Sequence, residues 1–438
     1  MFRRALNVSW PLVDQAVVSI GTFVINLILA RNLPQAEYGV FALLISVFLT
    51  FQLLNASLIF HPLIFGLSAA EGRMPARLVS ATCLLTFGTS LPLAILVGAG
   101  LVHLGRGDLA PYAVAAFLAG QGQEALRRCL FAQLRHSAAL PGDAVSYLGQ
   151  CALVLGLMPL GHLGIETALA AMAGTSVLGM ALQVGCLRFG RVTGAELRRV
   201  AADFWVIGRW ILAYSAVTLL RLQVFPWALA ATSGPAAAAM FQAAMNVLNV
   251  ANPILLGLSN VIPQVAARAL TPPAEAEAGR VRSEPARHHA RSWRAVRPYL
   301  LLGLPLVCGF YGLALVMPGP ILRVLYGAHS EYLGLTAVVQ VLALSAMVSY
   351  GADMLSSFLH GVNAARTALA VNLTGAAVVM VLAVPAIRML GLMGCALVLV
   401  AAGIVRLASA AGAVALLTRE TRGSADLASL RPVAPRPR

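Results

Sequence analysis

Long apolar runs, each about the length of a membrane-crossing helix, alternate along the chain with short polar segments. A helix needs roughly 20 residues to cross a hydrocarbon core about 30 Å thick. The pattern therefore predicts an all-α polytopic membrane protein with about twelve transmembrane helices. The predicted spans are residues 8–30, 39–60, 78–104, 109–131, 144–160, 164–187, 207–231, 235–267, 298–322, 335–359, 367–387 and 392–417.

The spans fall into two sets of six, which predicts an N-terminal six-helix lobe in residues 1–190 and a C-terminal six-helix lobe in residues 207–418. Between them, residues 191–206 place Leu197, Val200, Ala201 and Phe204 at i, i+3, i+4 and i+7 among charged residues. This spacing predicts an amphipathic linker helix lying in the membrane interface.

Two polar segments are rich in proline and charge: residues 271–297, which contain the adjacent His288 and His289, and residues 419–438 at the C-terminus. Such composition predicts disordered cytoplasmic segments, a loop and a tail.

Composition agrees with a membrane protein, since 59% of the 438 residues are hydrophobic and 11% are charged. Soluble domains average about 45–50% apolar and 25% charged residues. The net charge of +15 is dispersed between apolar runs, so nucleic-acid binding is not expected. The six cysteines lie singly and without C-x-x-C spacing, which argues against a metal or redox site.

The 31 basic residues are all arginine, and their positions predict the orientation. With the N-terminus inside, 25 arginines fall in cytoplasmic segments and 4 in outer connectors. We expect a multi-pass protein of the bacterial inner membrane with both termini cytoplasmic. The outer connectors leave no room for a catalytic domain, and no phosphate-binding glycine loop, nucleophile elbow or zinc spacing occurs. Neither an enzyme nor a cofactor is expected.

Ionisable side chains within spans normally face a cavity or a partner, because their insertion costs roughly 2.5–3.5 kcal/mol. Asp14, Glu124 and Asp353 are candidates for coupling transport to a proton or sodium gradient. Glu124 has Arg127 and Arg128 at i+3 and i+4, which favours a local ion pair. Asp14 and Asp353 have no such neighbours on their own helices, which leaves them as isolated acids.

Arg221 and Arg406 lie midway along the seventh and twelfth predicted spans. A planar guanidinium grips two phosphate oxygens, so both are candidate ligands of a pyrophosphate headgroup. The alternative is a structural pair with carbonyls or with an acid such as Asp353.

The eighth predicted span carries four amides at steps of 4, 3 and 3, which places them along one helical face. Amides offer donors and acceptors to sugar hydroxyls, whereas the alternative role is hydrogen bonding between helices. The second span carries a smaller set of the same kind. The candidate residues are Gln242, Asn246, Asn249 and Asn252 in the eighth span and Gln52 and Asn55 in the second.

Residues 30–41, A-R-N-L-P-Q-A-E-Y-G-V-F, resemble the A-R-x-L-G-x-x-E-Y-G-x-F stretch of bacterial oligosaccharide flippases of the polysaccharide transporter family. Pro34 stands where that family usually has glycine. Leu325, Tyr326 and Gly327, followed by Tyr332, resemble the family's outer loop before its tenth helix. Gly391 and Gly394 resemble the start of its twelfth helix.

The resemblance implies a MATE-like flippase fold of two six-helix lobes, as in multidrug antiporters of the same superfamily. It implies outward movement of an undecaprenyl-pyrophosphate-linked oligosaccharide by alternating access, for exopolysaccharide or O-antigen synthesis. The expected partners are this lipid-linked oligosaccharide, membrane lipids and the polysaccharide polymerase machinery. Similar lipid II flippases usually have two more helices. A cation-coupled multidrug antiporter and a membrane scaffold are the competing readings.

Overall fold

The computed structural model describes residues 2–68, 74–270 and 285–429, which form helices joined by short connections. The predicted all-α fold is confirmed. The helices are α1 Phe2–Asn32, α2 Gln35–Asn55, α3 His61–Ser68, α4 Met74–His103, α5 Ala110–Ala132, α6 His136–Leu157, α7 Ile165–Val184, α8 Gly194–Ser233, α9 Pro235–Asn249, α10 Asn252–Leu270, α11 Pro285–Val316, α12 Pro318–Tyr326, α13 Thr336–Gly361, α14 Ala365–Leu390 and α15 Leu392–Ser429.

Among the described residues, ten helical segments are long and apolar enough to cross a membrane. The other two predicted spans correspond to α5 and to the pair α9 and α10. Helix α5 is less apolar because it carries Glu124, Arg127 and Arg128. The span predicted at 235–267 is interrupted at Val250 and Ala251, so it is not one continuous helix.

The chain divides into two compact units, Met1–Val250 with Leu322–Leu335, and Ala251–Ile321 with Thr336–Arg438. In the first unit, α1 packs on α6, α7 packs on α5 and α6, and α2 packs on α9. In the second unit, α15 packs on α13 and α14, while α10 and α11 pack on α13. The boundary of the units near residue 250 differs from the lobe boundary near 190–207, which stays a prediction.

Helix α8 begins at a capping box and continues into the seventh span without a break. The Thr193 Oγ1 accepts a hydrogen bond from the Glu196 backbone N–H, and Glu196 Oε2 accepts one from the Thr193 N–H at 2.8 Å. Such reciprocal bonds satisfy backbone donors that a helix start would otherwise leave open. Residues 194–206, the greater part of the predicted linker, are therefore the first turns of a 40-residue helix.

The polar loop predicted at 271–297 is shorter in the structure, because α11 starts at Pro285. Proline suits the first helical turn, where its missing N–H costs nothing. Ser292 on α11 is buried and donates to the Ala266 carbonyl at 2.9 Å, which fixes this part of the helix in the second unit. Residues 271–284 and 430–438, within the predicted loop and tail, lie outside the described residues, while α15 extends beyond residue 418 to Ser429.

Candidate functional site

A cluster of buried charged side chains joins α1, α5 and α6 in the first unit. The side chain of Arg127 is 6% exposed, and those of Asp14, Glu124 and Asp143 are at most 3% exposed. Charged groups are expensive in such surroundings unless they are paired and hydrogen-bonded. The cluster is therefore the first place to look for function.

Arg127 lies at the centre and uses each of its three nitrogens on a different carboxylate. The Nη2 atom is 2.6 Å from Asp14 Oδ2, Nη1 is 3.1 Å from Glu124 Oε2, and Nε is 2.9 Å from Asp143 Oδ2. Arg128 Nε lies 2.6 Å from the other Glu124 oxygen. The predicted local pairing of Glu124 with its i+3 and i+4 arginines is confirmed.

The prediction that Asp14 is an isolated acid is wrong, because its partner comes from another helix. Asp14 lies on α1 and Arg127 on α5, so no spacing along one helix reveals the pair. The same correction applies to Asp353 on α13, which pairs with Arg406 on α15. Both interpretations considered neighbours along the same helix alone.

Asp143 is a member of the cluster that the sequence interpretation missed. Its Oδ1 accepts hydrogen bonds from Gln123 Nε2 at 2.5 Å and from Gln183 Nε2 at 3.0 Å. The fifth span was predicted to start at residue 144, whereas α6 starts at His136. Asp143 shares one face of α6 with Ser146 and Gln150, at i+3 and i+7, and this polar spacing was available in the sequence.

The cluster holds more negative than positive charge. Three ionised carboxylates face Arg127 and the 36% exposed Arg128, which leaves a formal excess of one negative charge. The Asp14 and Asp143 carboxyl groups lie within hydrogen-bonding reach of each other, and Asp14 Oδ1 is buried without a donor among the described residues. Two carboxyl groups can bond to each other when one is protonated. This arrangement can therefore hold one proton.

A polar cavity of about 340 Å³ adjoins the cluster in the first unit. Glu124, Arg127 and Arg128 form part of its wall, together with several hydroxyl groups and six amide side chains. The cavity can therefore both donate to and accept from a ligand rich in hydroxyl groups. The six amides are those of Gln15, Asn26, Gln52, Gln121, Gln123 and Gln150.

The two amides predicted in the second span have different environments. Gln52 lines the cavity. Asn55 is 1% exposed, donates to Ser90 Oγ at 2.9 Å and to Gln121 Oε1 at 2.8 Å, and accepts from Thr89 Oγ1 at 2.6 Å. Both of its N–H groups and its oxygen are satisfied, so Asn55 connects α2, α4 and α5. It is the last residue before a π-helical turn at Ala56–Phe60 in the second span.

The amide stripe of the eighth span is interrupted by the helix break after Asn249. Gln242 donates to Asn246 Oδ1 at 2.9 Å, and Asn246 donates to the Tyr38 hydroxyl at 2.9 Å. Tyr38 in turn donates to Asn26 Oδ1, on the cavity wall, at 3.3 Å. These bonds join α9 to α2 and α1. Asn249 is half-buried at the end of α9, whereas the side chain of Asn252 lies outside the described residues.

In the second unit, the Arg406 guanidinium is buried beside a half-exposed acid. Arg406 Nη2 lies 2.5 Å from Asp353 Oδ1, and the Asp353 side chain is 47% exposed. The Nε and Nη1 atoms of Arg406 are buried without an acceptor among the described residues. The stem of Arg406 lies against Gly375, where a side chain would overlap with it. Arg406 therefore has a structural partner and also unused donors.

Arg221 lies on α8 in the first unit and is 9% exposed. Asp353, an acid considered as its partner, instead contacts Arg406. The chemical role of Arg221 stays a prediction.

Two of the sequence motifs meet in the first unit. The Arg31 guanidinium donates to the carbonyls of Val324 and Leu325. The Tyr326 hydroxyl donates to the Ala243 carbonyl at 2.9 Å, and its ring lies 4.8 Å from that of Tyr332. The segment that contains Tyr326 and Tyr332 is thus held against the end of α1 and the side of α9.

Solved structures of membrane transporters share this fold. An inward-facing multidrug resistance MATE family transporter of the MOP superfamily aligns with a TM-score of 0.69 at 12% identity, over 93% of this chain and 99% of that one. The Vibrio cholerae MATE transporter VcmN aligns at 0.63 and 13%, over 96% and 97%. The lipid II flippase MurJ, inward closed, aligns at 0.63 and 12%, over 97% and 93%.

No family model matches the sequence, and no curated protein matches it either. The chain has the all-α MATE-like fold, to which both drug transporters and a flippase conform. Together with its ten apolar helices, this fold makes it a multi-pass membrane protein. At these sequence identities the likeness shows the fold and not the substrate.

Proposed function

We propose that this protein is a flippase that moves a polyprenyl-pyrophosphate-linked oligosaccharide across the bacterial inner membrane by alternating access. The observation that carries the proposal is the cavity wall, in which six amides and several hydroxyl groups surround about 340 Å³. Such groups match the alternating donors and acceptors of a sugar. The fold shared with transporters and with a lipid II flippase supports the same class of function.

Arg406 and Arg221 are the proposed ligands of the pyrophosphate. For Arg406, the support is its buried Nε and Nη1 atoms, which have no acceptor among the described residues. A phosphate oxygen accepts from such paired donors, and the guanidinium is charged at any physiological pH. For Arg221, the support is its burial midway along an apolar helix.

Coupling is proposed to use one proton shared by Asp14 and Asp143. Arg127 already occupies the space between the carboxylates where a sodium ion would bind, and the described residues contain no acidic group arranged to hold a metal ion. A proton fits within hydrogen-bonding distance without moving Arg127. Glu124 then holds Arg127 in place through the cycle, and Asp353 has a lesser part because it is half exposed.

A reconstituted assay tests the proposed substrate directly. Purified protein in proteoliposomes is given a polyprenyl-pyrophosphate-linked oligosaccharide, and movement between leaflets is followed with an impermeant glycan-modifying enzyme. We expect translocation that depends on a pH gradient. A parallel assay measures efflux of a cationic dye. Dye efflux without glycolipid movement would replace the proposal with the second candidate below.

The second candidate is a cation-coupled multidrug antiporter, and the acidic excess of the charge cluster is the observation that favours it. A cationic drug would be attracted to the cavity beside Glu124. Against it, the carboxylates are already bonded to Arg127, Arg128, Gln123 and Gln183.

The proposed orientation has both termini in the cytoplasm, on the basis of the arginine distribution. Reporter fusions at Glu71, Ala278 and Thr421 should report cytoplasm, and fusions at Gln35 and His329 the outer face. An outer signal at Ala278 would contradict the orientation.

A further inference from the structure

A second and larger cavity, of about 700 Å³, lies in the first unit between α2, α4 and α8. Its wall is apolar apart from Glu37 and Arg106, and we call it the lateral groove. Its volume is within the roughly 300–1,000 Å³ typical of pockets that enclose small ligands. The residues that define it include Val40, Val47, Phe51, Gly100, Leu104 and Ala231.

The lateral groove is long and narrow. Its wall follows α2 from Ala36 to Phe51, about 22 Å at 1.5 Å per residue. One leaflet of the hydrocarbon core is about 15 Å thick. Leu96 and Leu104 on its rim are 60% and 71% exposed, so the groove opens sideways between helices. These dimensions suit an extended acyl chain that enters from the bilayer.

Three charged side chains stand at one end of the lateral groove. Arg106 forms two hydrogen bonds to Glu37, at 3.0 and 3.1 Å, and its Nε lies 3.5 Å from Asp108 Oδ1. The side chains of Arg106, Glu37 and Asp108 are 27%, 40% and 52% exposed. The group therefore has one negative charge in excess, and its two carboxylates are more accessible than its guanidinium.

We propose that the lateral groove binds one acyl chain of a phospholipid whose zwitterionic headgroup carries a primary ammonium. The ammonium would lie against Glu37 and Asp108, and the phosphate would lie nearer Arg106. Glu37 is in the first turn of α2, whereas Arg106 follows the end of α4, so these residues lie where helices leave the apolar layer. A headgroup anchored there leaves its chain directed along the groove.

The charge of this end distinguishes between lipids. A headgroup with net negative charge, such as phosphatidylglycerol or a polyprenyl phosphate, would meet the two accessible carboxylates and be repelled. An ammonium placed between the same carboxylates replaces some of its hydration with charged acceptors. The lateral groove is therefore distinct from the proposed pyrophosphate site, and its occupancy does not depend on the transported substrate.

The first test changes the size of the lateral groove. Gly100 lines it, and a side chain added there meets no atom within 4 Å, so Gly100→Leu should fill the space without disturbing the helices. Gly88 is on the same helix, is equally unobstructed and lies outside the lateral groove, so Gly88→Leu is the matched control. Each protein is reconstituted in nanodiscs of equimolar phosphatidylethanolamine and phosphatidylglycerol with identical chains, and then stripped with detergent.

Mass spectrometry of the retained lipid gives the amount bound per protein. We expect the native protein and Gly88→Leu to retain phosphatidylethanolamine preferentially, and Gly100→Leu to retain only the bulk ratio. Equal retention of both phospholipids by the native protein would overturn the proposal. So would unchanged retention by Gly100→Leu, or stoichiometric displacement of phosphatidylethanolamine by added polyprenyl phosphate.

The second test changes the charge at the headgroup end. Asp108→Asn removes an exposed carboxylate whose contact with Arg106 is long, and it makes the group neutral. We expect the preference for phosphatidylethanolamine to fall about two- to fivefold, the range of a partly exposed ion pair. Glu166→Gln, a change of another acid in the first unit, should leave the preference unaltered. An unaltered preference in Asp108→Asn would exclude the ammonium contact.

Discussion

Gly39 on α2 lies directly against the backbone carbonyl of Pro235 at the start of α9, with no room for a side chain between them. A Cβ at residue 39 would overlap with that oxygen, so α2 and α9 approach closely because residue 39 is glycine. Gly39→Ala should therefore lower the free energy of unfolding by about 1–3 kcal/mol, as overpacked sites do. Thermal unfolding in detergent measures this.

Gly100→Ala is the control for this change, because a Cβ at residue 100 meets open space. It should leave stability unchanged or raise it by about 0.5–1 kcal/mol, since alanine favours helices over glycine. Equal melting temperatures for Gly39→Ala and the native protein would show that the helices separate at no cost.

Arg127 neutralises three buried carboxylates, so its removal should be far more damaging than removal of its neighbour. Arg127→Gln leaves Asp14, Glu124 and Asp143 without their shared cation and should cost about 3–5 kcal/mol of stability. Arg128→Gln removes a 36% exposed partner and should cost less than about 1 kcal/mol. Similar losses for the two variants would argue against a central role for Arg127.

The shared proton predicts a specific transport defect. Asp14→Asn keeps an acceptor for Arg127 but removes a titratable group, so transport driven by a pH gradient should fall at least about tenfold while the protein remains folded. Asp353→Asn should have a smaller effect, because that acid is half exposed. Full pH-driven transport by Asp14→Asn would exclude the proton site, and full dependence on sodium would point to the other coupling ion.

Arg221 is predicted to hold the pyrophosphate. Arg221→Ala should abolish glycolipid translocation without loss of melting temperature, and Arg221→Lys should restore part of it, because a point charge cannot grip two oxygens. Translocation in proteoliposomes and thermal stability in detergent are measured together. Normal translocation by a stable Arg221→Ala protein would remove Arg221 from the site.

The contact between Gly375 and Arg406 gives a test of the second unit. Gly375→Val should displace the Arg406 stem, weaken its pair with Asp353 and lower stability by about 1–3 kcal/mol. Gly412→Val on α15, at a position with open space, is the matched control. If Arg406 also binds substrate, Gly375→Val should raise the substrate concentration needed for half-maximal translocation, and Gly412→Val should not.

The fold was largely predictable because apolar runs of membrane length report helices directly. Ten of the expected spans meet the requirements of length and composition in the described residues. The break at Val250 and Ala251 was not predictable, since the amides around it keep a helical spacing on both sides. Spacing along a sequence reveals a common face only while the helix is continuous.

The candidate site was predictable in its residue types but not in its pairings. Asp14, Glu124 and Gln52 were identified from their polarity within apolar spans, and the structure places all three at the charge cluster or cavity. Arg127 was interpreted as an anchor near a helix end, although it bonds to helices α1 and α6 as well as α5. Contacts between helices distant in sequence are set by packing, which no single-helix pattern contains.

The segment Leu322–Leu335 belongs to the first compact unit, although residues 251–321 of the second unit precede it in the chain. During synthesis, the first unit therefore waits for its last piece until residue 335 has left the ribosome. At roughly 5–20 residues per second, that interval is about 4–17 s. Until then Arg31 lacks the carbonyls of Val324 and Leu325, and Ala243 lacks the Tyr326 hydroxyl. Biogenesis thus has a checkpoint, because the N-terminal unit is completed by a segment made after much of the C-terminal one has entered the membrane.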